Sequence, residues 1–411
     1  MLGRRPFHNF VLLIGSVVLT LALAELSIRG YFTISGGAPE GAKSLFNKIS
    51  MIDLKGESEC SGTGSEVIPH PYFAFTKNPY HPCNRRGSTT NRHGFLNPSE
   101  FPEFNEDTHF DIVLLGGSVA SIMALGWDHK DRAANYIEKI LNDRFQPPHG
   151  QSFRVYNGGM DGGSQPLQNA VLMNLGERFD GVIIIDGYNE SLHSNHFLMG
   201  TPAIGLYLDG FKTLNNQVNA GLMVKLAKIL RSNSAFSWSY LAGSLHGSLL
   251  NLSVHYEMNQ LAEDLEKIYY GAAQPPATWS KEDLHSYNAE KYAQLTLMAQ
   301  SMSNVMGLKF AHFLQPIRWL YKPLTERERS FQKYCEVEFY QKMEDALRMA
   351  RETKGLQTFS LLKLLEGNAN EFYGDHIHFK FSDDGQNEGN RLMAEAIVKE
   401  LEKVWALQPN Q

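Results

Sequence analysis

The chain predicts an α/β fold: a central, mostly parallel sheet between helical layers, with a helix ahead of it and a helical insertion within it. Three observations predict this. Short apolar runs alternate with amphipathic stretches from residue 110 onward, the pattern of βαβ units. The run Gly181-Val182-Ile183-Ile184-Ile185 lacks a polar side chain, as a strand covered on both faces requires. A hydrophobic fraction of 43% over 411 residues supplies core for one such domain with an insertion, or for two smaller ones.

The N-terminus comes first. Arg4 and Arg5 precede an apolar run over residues 10–24, and the two arginines favour keeping the N-terminus inside. The run is shorter than the ~20 residues a spanning helix wants. It suits a signal-peptide core, and Ala22-Leu23-Ala24 offers a small-x-small cleavage site. The helical pattern nevertheless continues through Leu26, Ile28 and Tyr31, and Arg29 can snorkel to the far interface, which favours an uncleaved anchor. Residues 1–31 are therefore read as membrane anchor or signal sequence, with the remainder exported. Residues 32–105 are rich in Gly, Pro, Ser and Asn and read as a stalk and irregular lead-in, with short extended pieces at 70–75 and 94–98. Cys60 and Cys83 fall in this stretch; after export they either pair or stay as thiols. Neither they nor Cys335 form a C-x-x-C motif.

The main domain is assigned to residues 106–411. Strands are expected at 110–115, 153–156, 181–185, 308–314 and 357–361. Helices are expected at 131–141, 166–176, 287–306, 328–353 and 387–405. The alternation lapses between about 190 and 286, where residues 221–268 are mostly helical in character; this is read as an insertion covering part of the domain. The formal charge of −6 without a basic stripe leaves no electrostatic footprint for nucleic acid.

Four segments carry chemistry. Asp111-Ile112-Val113-Leu114-Leu115-Gly116-Gly117-Ser118 is a buried strand running into a glycine turn with a serine at its tip. In open parallel sheets reactive groups gather at the carboxyl ends of strands. Ala120 stands where a G-x-S-x-G elbow needs glycine, which argues against a standard α/β-hydrolase. Alone, Ser118 reads better as a turn serine. Asn157-Gly158-Gly159 after the next strand can present backbone N–H groups to an anion, or is simply a glycine-rich turn. Gly187-Tyr188-Asn189 ends the third strand, and a side-chain amide there can donate to a developing oxyanion. Late in the chain, Asp375 stands three residues before His378, the spacing at which a turn brings a carboxylate onto an imidazole and fixes its tautomer. His376 is the competing base, and His378 is preferred. Ser118 and Asn189 do not belong in a zinc shell, so no metal is expected.

In this order the four segments resemble the SGNH (GDSL-like) hydrolase superfamily, over about residues 110–403 apart from the insertion. The lead-in around residues 70–75 and 91–95, Phe313-Leu314-Gln315-Pro316, and residues 322–326 look like membrane-anchored envelope members. Two departures stand out: Gly-Gly-Ser-Val around Ser118 instead of Gly-Asp-Ser-Leu, and Glu190 where Asp is common. The resemblance implies a three-layer, flavodoxin-like sandwich and a serine esterase needing no cofactor. It implies that Ser118 attacks an ester, His378 moves the proton and Asp375 holds His378. It implies an oxyanion hole from the N–H of Ser118, the N–H of Gly159 and the Asn189 amide. It further implies a single-pass protein of a bacterial cytoplasmic membrane with its domain outside. The alternatives are an O-acyltransferase or deacetylase acting on envelope polysaccharide, and a non-catalytic envelope scaffold.

Overall fold

The computed structural model describes residues 5–34, 67–70, 72–79, 90–97, 99–104, 108–125, 135–193, 197–200, 239, 241, 244–245, 274–382 and 387–410. Cys60, Cys83 and most of the expected insertion lie outside these residues. The chain forms two units, one of residues 1–64 with 212–264, the other of residues 65–211 with 265–411. In the first, helix α1 (Arg5–Ile34) carries Glu25. The Glu25 carboxylate accepts from Arg29 Nε, Ser239 Oγ and the Leu241 N–H, each at 2.8 Å. Among the described residues no helix is long and apolar enough to cross a membrane.

The second unit holds the sheet. A small hairpin, β1 (Val67–His70) and β2 (Ala74–Lys77), precedes it. Then follow β3 (Phe110–Gly116), helix α2 (Ser118–Leu125), α3 (Tyr136–Arg144), β4 (Phe145–Gln146), β5 (Phe153–Asn157), α4 (Leu167–Leu175), β6 (Gly181–Asp186) and the short α5 (Tyr188–His193). Further along the chain come α6 (Lys281–Met306), β7 (Lys309–Leu314), α7 (Glu326–Ser330), α8 (Val337–Lys354), β8 (Thr358–Ser360), α9 (Glu388–Val404) and β9 (Gln408–Pro409). The main sheet has five strands in the order β5-β3-β6-β7-β8, and every pairing is parallel. β4 and β9 form a separate antiparallel pair.

Every residue of β3 and β6 is buried, and the two-residue period sorts their side chains between two cores. Val113, Leu115, Val182 and Ile184 pack with Tyr292 of α6 and with Phe339 and Met343 of α8. Ile112, Leu114, Ile183 and Ile185 pack with Ile137 and Leu141 of α3 and with Met393 and Ile397 of α9. Each such side chain contributes roughly 1.5–3 kcal/mol by leaving water. The result is a sheet between two helical layers.

Three expected elements differ. The helix expected at 328–353 is two helices. Phe331 is extended (φ −72°, ψ 140°), and its carbonyl and that of Gln332 accept from Arg318 Nη2 at 2.5 and 3.0 Å, so neither is free to continue a helix. α6 begins at Lys281, ahead of the expected 287, because Ser280 and Asp283 form a reciprocal capping box. α3 begins at Tyr136, where the Asn135 side chain accepts the Glu138 N–H and caps the helix, and residues 131–134 of the expected helix lie outside the described residues.

Candidate active site

The strand order creates the site. β3 lies between β5 and β6, so consecutive connections leave the sheet in opposite directions across it. In a sheet of this 2-1-3-4-5 order, the crevice at the carboxyl ends beside the first strand is where a ligand fits. The turns after β3, β5 and β6 carry Ser118, Gly158–Gly163 and Asn189 to that edge.

The turn into Ser118 admits only glycine at its first position. Gly116 has φ +143°, and a Cβ there would lie 2.0 Å from the Ile185 carbonyl oxygen. A Cβ on Gly117 would lie 2.3 Å from Asn189 Nδ2, so that amide sits directly against the turn. Ser118 opens α2, so its N–H is one of the four that a helix cannot satisfy internally.

The candidate base arrives on a tight turn. Tyr373 bridges to Phe379, and the Gly374 N–H donates to the His378 carbonyl at 2.9 Å. Asp375 Oδ1 accepts the N–H groups of Ile377 and His378 at 2.8 and 2.7 Å, and Oδ2 lies 2.8 Å from His378 Nδ1. His378 Nε2 lies 2.8 Å from Ser118 Oγ. A carboxylate only accepts, so Nδ1 carries the proton and Nε2 accepts from the serine hydroxyl. Partial burial alone would raise the Asp375 pKa; the His378 ring and the two N–H groups outweigh it and hold the carboxyl well below its ordinary range. His376, the alternative base, does not join this relay. Its ring packs between Tyr188 at 5.7 Å and Tyr334 at 5.0 Å.

The expected oxyanion donors divide. Asn189 Nδ2 donates one hydrogen to the Gly163 carbonyl at 2.7 Å, which fixes the amide and leaves its second hydrogen for another acceptor. Gly159 is a correction: its N–H donates to Asn157 Oδ1 at 2.8 Å, so it is already engaged by the turn's own asparagine. Further along the loop, Gly162 adopts φ +71° and its N–H has no protein partner among the described residues.

Two buried carboxylates hold these turns, and neither was singled out as a support in the sequence. Glu190 accepts the Gly187 N–H at 2.8 Å and the Gln165 N–H at 2.7 Å, so it ties the Asn189 turn to the Gly162 loop. Burial, with Asp186 nearby, pushes its pKa up to about 8. Glu328 accepts the N–H groups of Phe372 and Tyr373 at 3.0 and 3.1 Å and the ammonium of Lys322 at 2.6 Å, anchoring the segment that leads into Asp375. Its signal was present in sequence: Thr325 and Glu328 are spaced as a capping box, which they form.

A second His–Asp pair lies beneath the site. His312 Nε2 is 2.9 Å from Asp186 Oδ1, Tyr292 Oη donates to the same oxygen, and His312 Nδ1 is 2.7 Å from Thr358 Oγ1. Both side chains are buried and the third partner is a tyrosine, so this pair braces the end of β6 and is out of reach of a substrate. Among the described residues no group of His, Cys, Asp and Glu is placed to hold a metal ion.

No protein-family model matches the chain, and no curated protein matches it either. Among solved structures, a lipase/acylhydrolase from Enterococcus faecalis aligns at TM-score 0.35 and 14% identity, over 73% of this chain and 98% of that one. The acetyl xylan esterase AlAXEase aligns at 0.35 and 9%, over 70% and 98%. LAE5, an alpha/beta hydrolase enzyme from the metagenome of Lake Arreo, Spain, aligns at 0.31 and 12%, over 71% and 94%. Similarity at this level carries no argument, and the α/β assignment rests on the parallel sheet and the helices on its two faces.

Proposed function

We propose that this chain is a serine esterase of the SGNH type, acting on an acyl ester outside a bacterial cytoplasmic membrane. One observation supports the reading most: Asp375, His378 and Ser118 form an unbroken hydrogen-bonded series at 2.8 Å per step, although the serine stands far from the other two in sequence. In the proposed reaction Ser118 Oγ attacks the ester carbonyl while His378 Nε2 takes the hydroxyl proton. The carbonyl oxygen becomes an oxyanion facing the Ser118 N–H and the free Asn189 amide hydrogen, with the Gly162 N–H as third donor in place of Gly159. Collapse breaks the bond to the alcohol, which leaves with the proton from His378. Water then attacks the acyl-serine with His378 again as base, releasing the acid and restoring Ser118. Asp375 stays ionised and stabilises the imidazolium.

The acyl group proposed is a short one, acetyl above all, as the resemblance implies. A narrow crevice flanks His378, lined by Val119, Ile122, Pro316, Ile377, Phe379 and Met393 together with the polar Asn390. Transfer to a second alcohol, in place of hydrolysis, differs only in what attacks the acyl-serine. The membrane part of the reading rests on sequence: the apolar residues 10–24 after two arginines, within a helix that continues to Ile34.

The test is p-nitrophenyl acetate turnover by the purified chain and by Ser118→Ala. Turnover by the unaltered chain and none by the variant is the expected result. Equal turnover by both would remove Ser118 from the mechanism. A well-folded chain whose Ser118 resists a fluorophosphonate probe would favour the scaffold reading.

A further inference from the structure

The segment after β7, Gln315-Pro316-Ile317-Arg318-Trp319, carries a cation into the core. Arg318 has no exposed surface, and its neighbours Ile317 and Leu320 belong to the same apolar core as Tyr188 and Cys335. Its Nη2 donates to the carbonyls of Phe331 and Gln332 at 2.5 and 3.0 Å. Its guanidinium carbon lies 4.2 Å from the ring centre of Trp319 and 5.1 Å from that of Phe331. Nε and Nη1 have no hydrogen-bond partner among the described residues. Carbonyl dipoles and ring faces soften the charge without cancelling it, and a buried guanidinium is costly unless an anion meets it.

The groups around Arg318 do not supply that anion. Tyr188, Cys335, Glu328 and Tyr373 all act electrostatically on it. Glu328 is already neutralised by the Lys322 ammonium at 2.6 Å. Burial pushes the Cys335 thiol up to about 12, so it stays protonated at neutral pH. Burial likewise raises Tyr188 and Tyr373, which stay as phenols. Both tyrosines are buried, and neither Oη has a hydrogen-bond partner among the described residues. A cation and two hydroxyls thus gather next to the Asp375 turn, each with a hydrogen to give and none bringing negative charge.

We infer that Arg318, Tyr188 and Tyr373 together bind one small monovalent anion of the halide class, chloride in ordinary buffers; the inference is independent of the esterase reading. Water satisfies the hydroxyls but leaves the guanidinium charge uncompensated, whereas an anion answers both needs. Burial of all three side chains keeps a substrate carboxylate or a phosphate from reaching Arg318. A single-atom ion needs no such room and accepts hydrogens from any direction. Its place in the chain gives it a structural role. Arg318 holds the carbonyls of Phe331 and Gln332, Tyr188 precedes Asn189, and Tyr373 stands two residues before Asp375, so one ion joins three segments that frame the candidate site.

The experiment follows thermal unfolding of the full chain in potassium chloride, bromide, sulfate and gluconate at one ionic strength. Chloride and bromide should raise the midpoint by roughly 2–4 °C over gluconate, with saturation, and sulfate should not. Tyr188→Phe and Tyr373→Phe keep the ring and remove the hydroxyl. Each should raise the chloride concentration needed for half the effect about ten-fold. Arg318→Met should abolish the response; if that variant does not fold, the two tyrosine variants decide. A midpoint indifferent to the anion, as a bound water alone would give, overturns the site. So does an equal response to sulfate, which marks a general salt effect, or a half-effect concentration unchanged in both tyrosine variants, which places the ion elsewhere.

Discussion

Ser118 is exposed to its partners by the residues around it more than by its own properties. Gly116 and Gly117 let the chain turn where a Cβ would strike the Ile185 carbonyl or the Asn189 amide, and the turn leaves the serine N–H without a helical partner. Asn189 completes the arrangement, because its amide is held by Gly163 and needs no reorientation when negative charge develops. Asn189→Ala is accordingly expected to lower kcat by ~10²–10³ with little change in KM; steady-state kinetics on p-nitrophenyl acetate check this, and a change confined to KM would count against the amide as a transition-state donor. Glu190 gives a different prediction. Its folded-state pKa of about 8 stands above its unfolded value, so the native state holds a proton that the unfolded state gives up. Its contribution to stability is full at acidic pH and is lost as pH rises through about 8. Urea unfolding of Glu190→Gln between pH 5 and 8.5 should therefore decline less steeply than that of the unaltered chain, and parallel profiles would contradict the raised pKa.

At the scale of elements, the turn bearing Asp375 and His378 depends on α7. Glu328 joins the Lys322 ammonium to the N–H groups of Phe372 and Tyr373, with side-chain exposures of 1% for Lys322 and 0% for Glu328. Removing one member of such a buried pair leaves an uncompensated charge, at a cost of roughly 3–5 kcal/mol. Lys322→Met should lose stability on that scale in urea unfolding. Replacing both residues by Met should not restore it, because the Phe372, Tyr373 and Thr325 N–H groups would lose their acceptor. Full recovery in the double variant would show that the carboxylate serves Lys322 alone. The same region explains the misread helix. Residues 328–353 have helical periodicity throughout, but Arg318, remote from most of them in sequence, competes for two carbonyls and breaks the run.

For the whole molecule, the proposed compartment makes one demand. If residues 1–31 anchor the chain, the full-length protein should sediment with membranes and stay there through an alkaline carbonate wash, while a form lacking those residues should be released. Release of the full-length protein by the wash would leave only peripheral attachment.

The sequence by itself determined the sheet and singled out the candidate catalytic residues. Strands buried on both faces are written as unbroken apolar runs, and Gly-Gly-Ser, Gly-x-Asn and Asp-x-x-His are local patterns dictated by turn geometry. The Asp375–His378 contact was legible for the same reason, since a turn of that length closes on itself. Only the tertiary structure decided which histidine meets Ser118 and where α7 ends. Each of those depends on strand order or on a hydrogen-bond partner whose place in space the neighbouring residues do not encode. Glu190 reaches across to Gln165 because the parallel order β5-β3-β6 brings three separate turns to one edge, whereas the bond from Gly159 to Asn157 spans two residues and is local. Asp375, His378 and Ser118 meet for that reason too: β3 sets Ser118 at the sheet's carboxyl edge, and the turn anchored by Glu328 brings His378 to it.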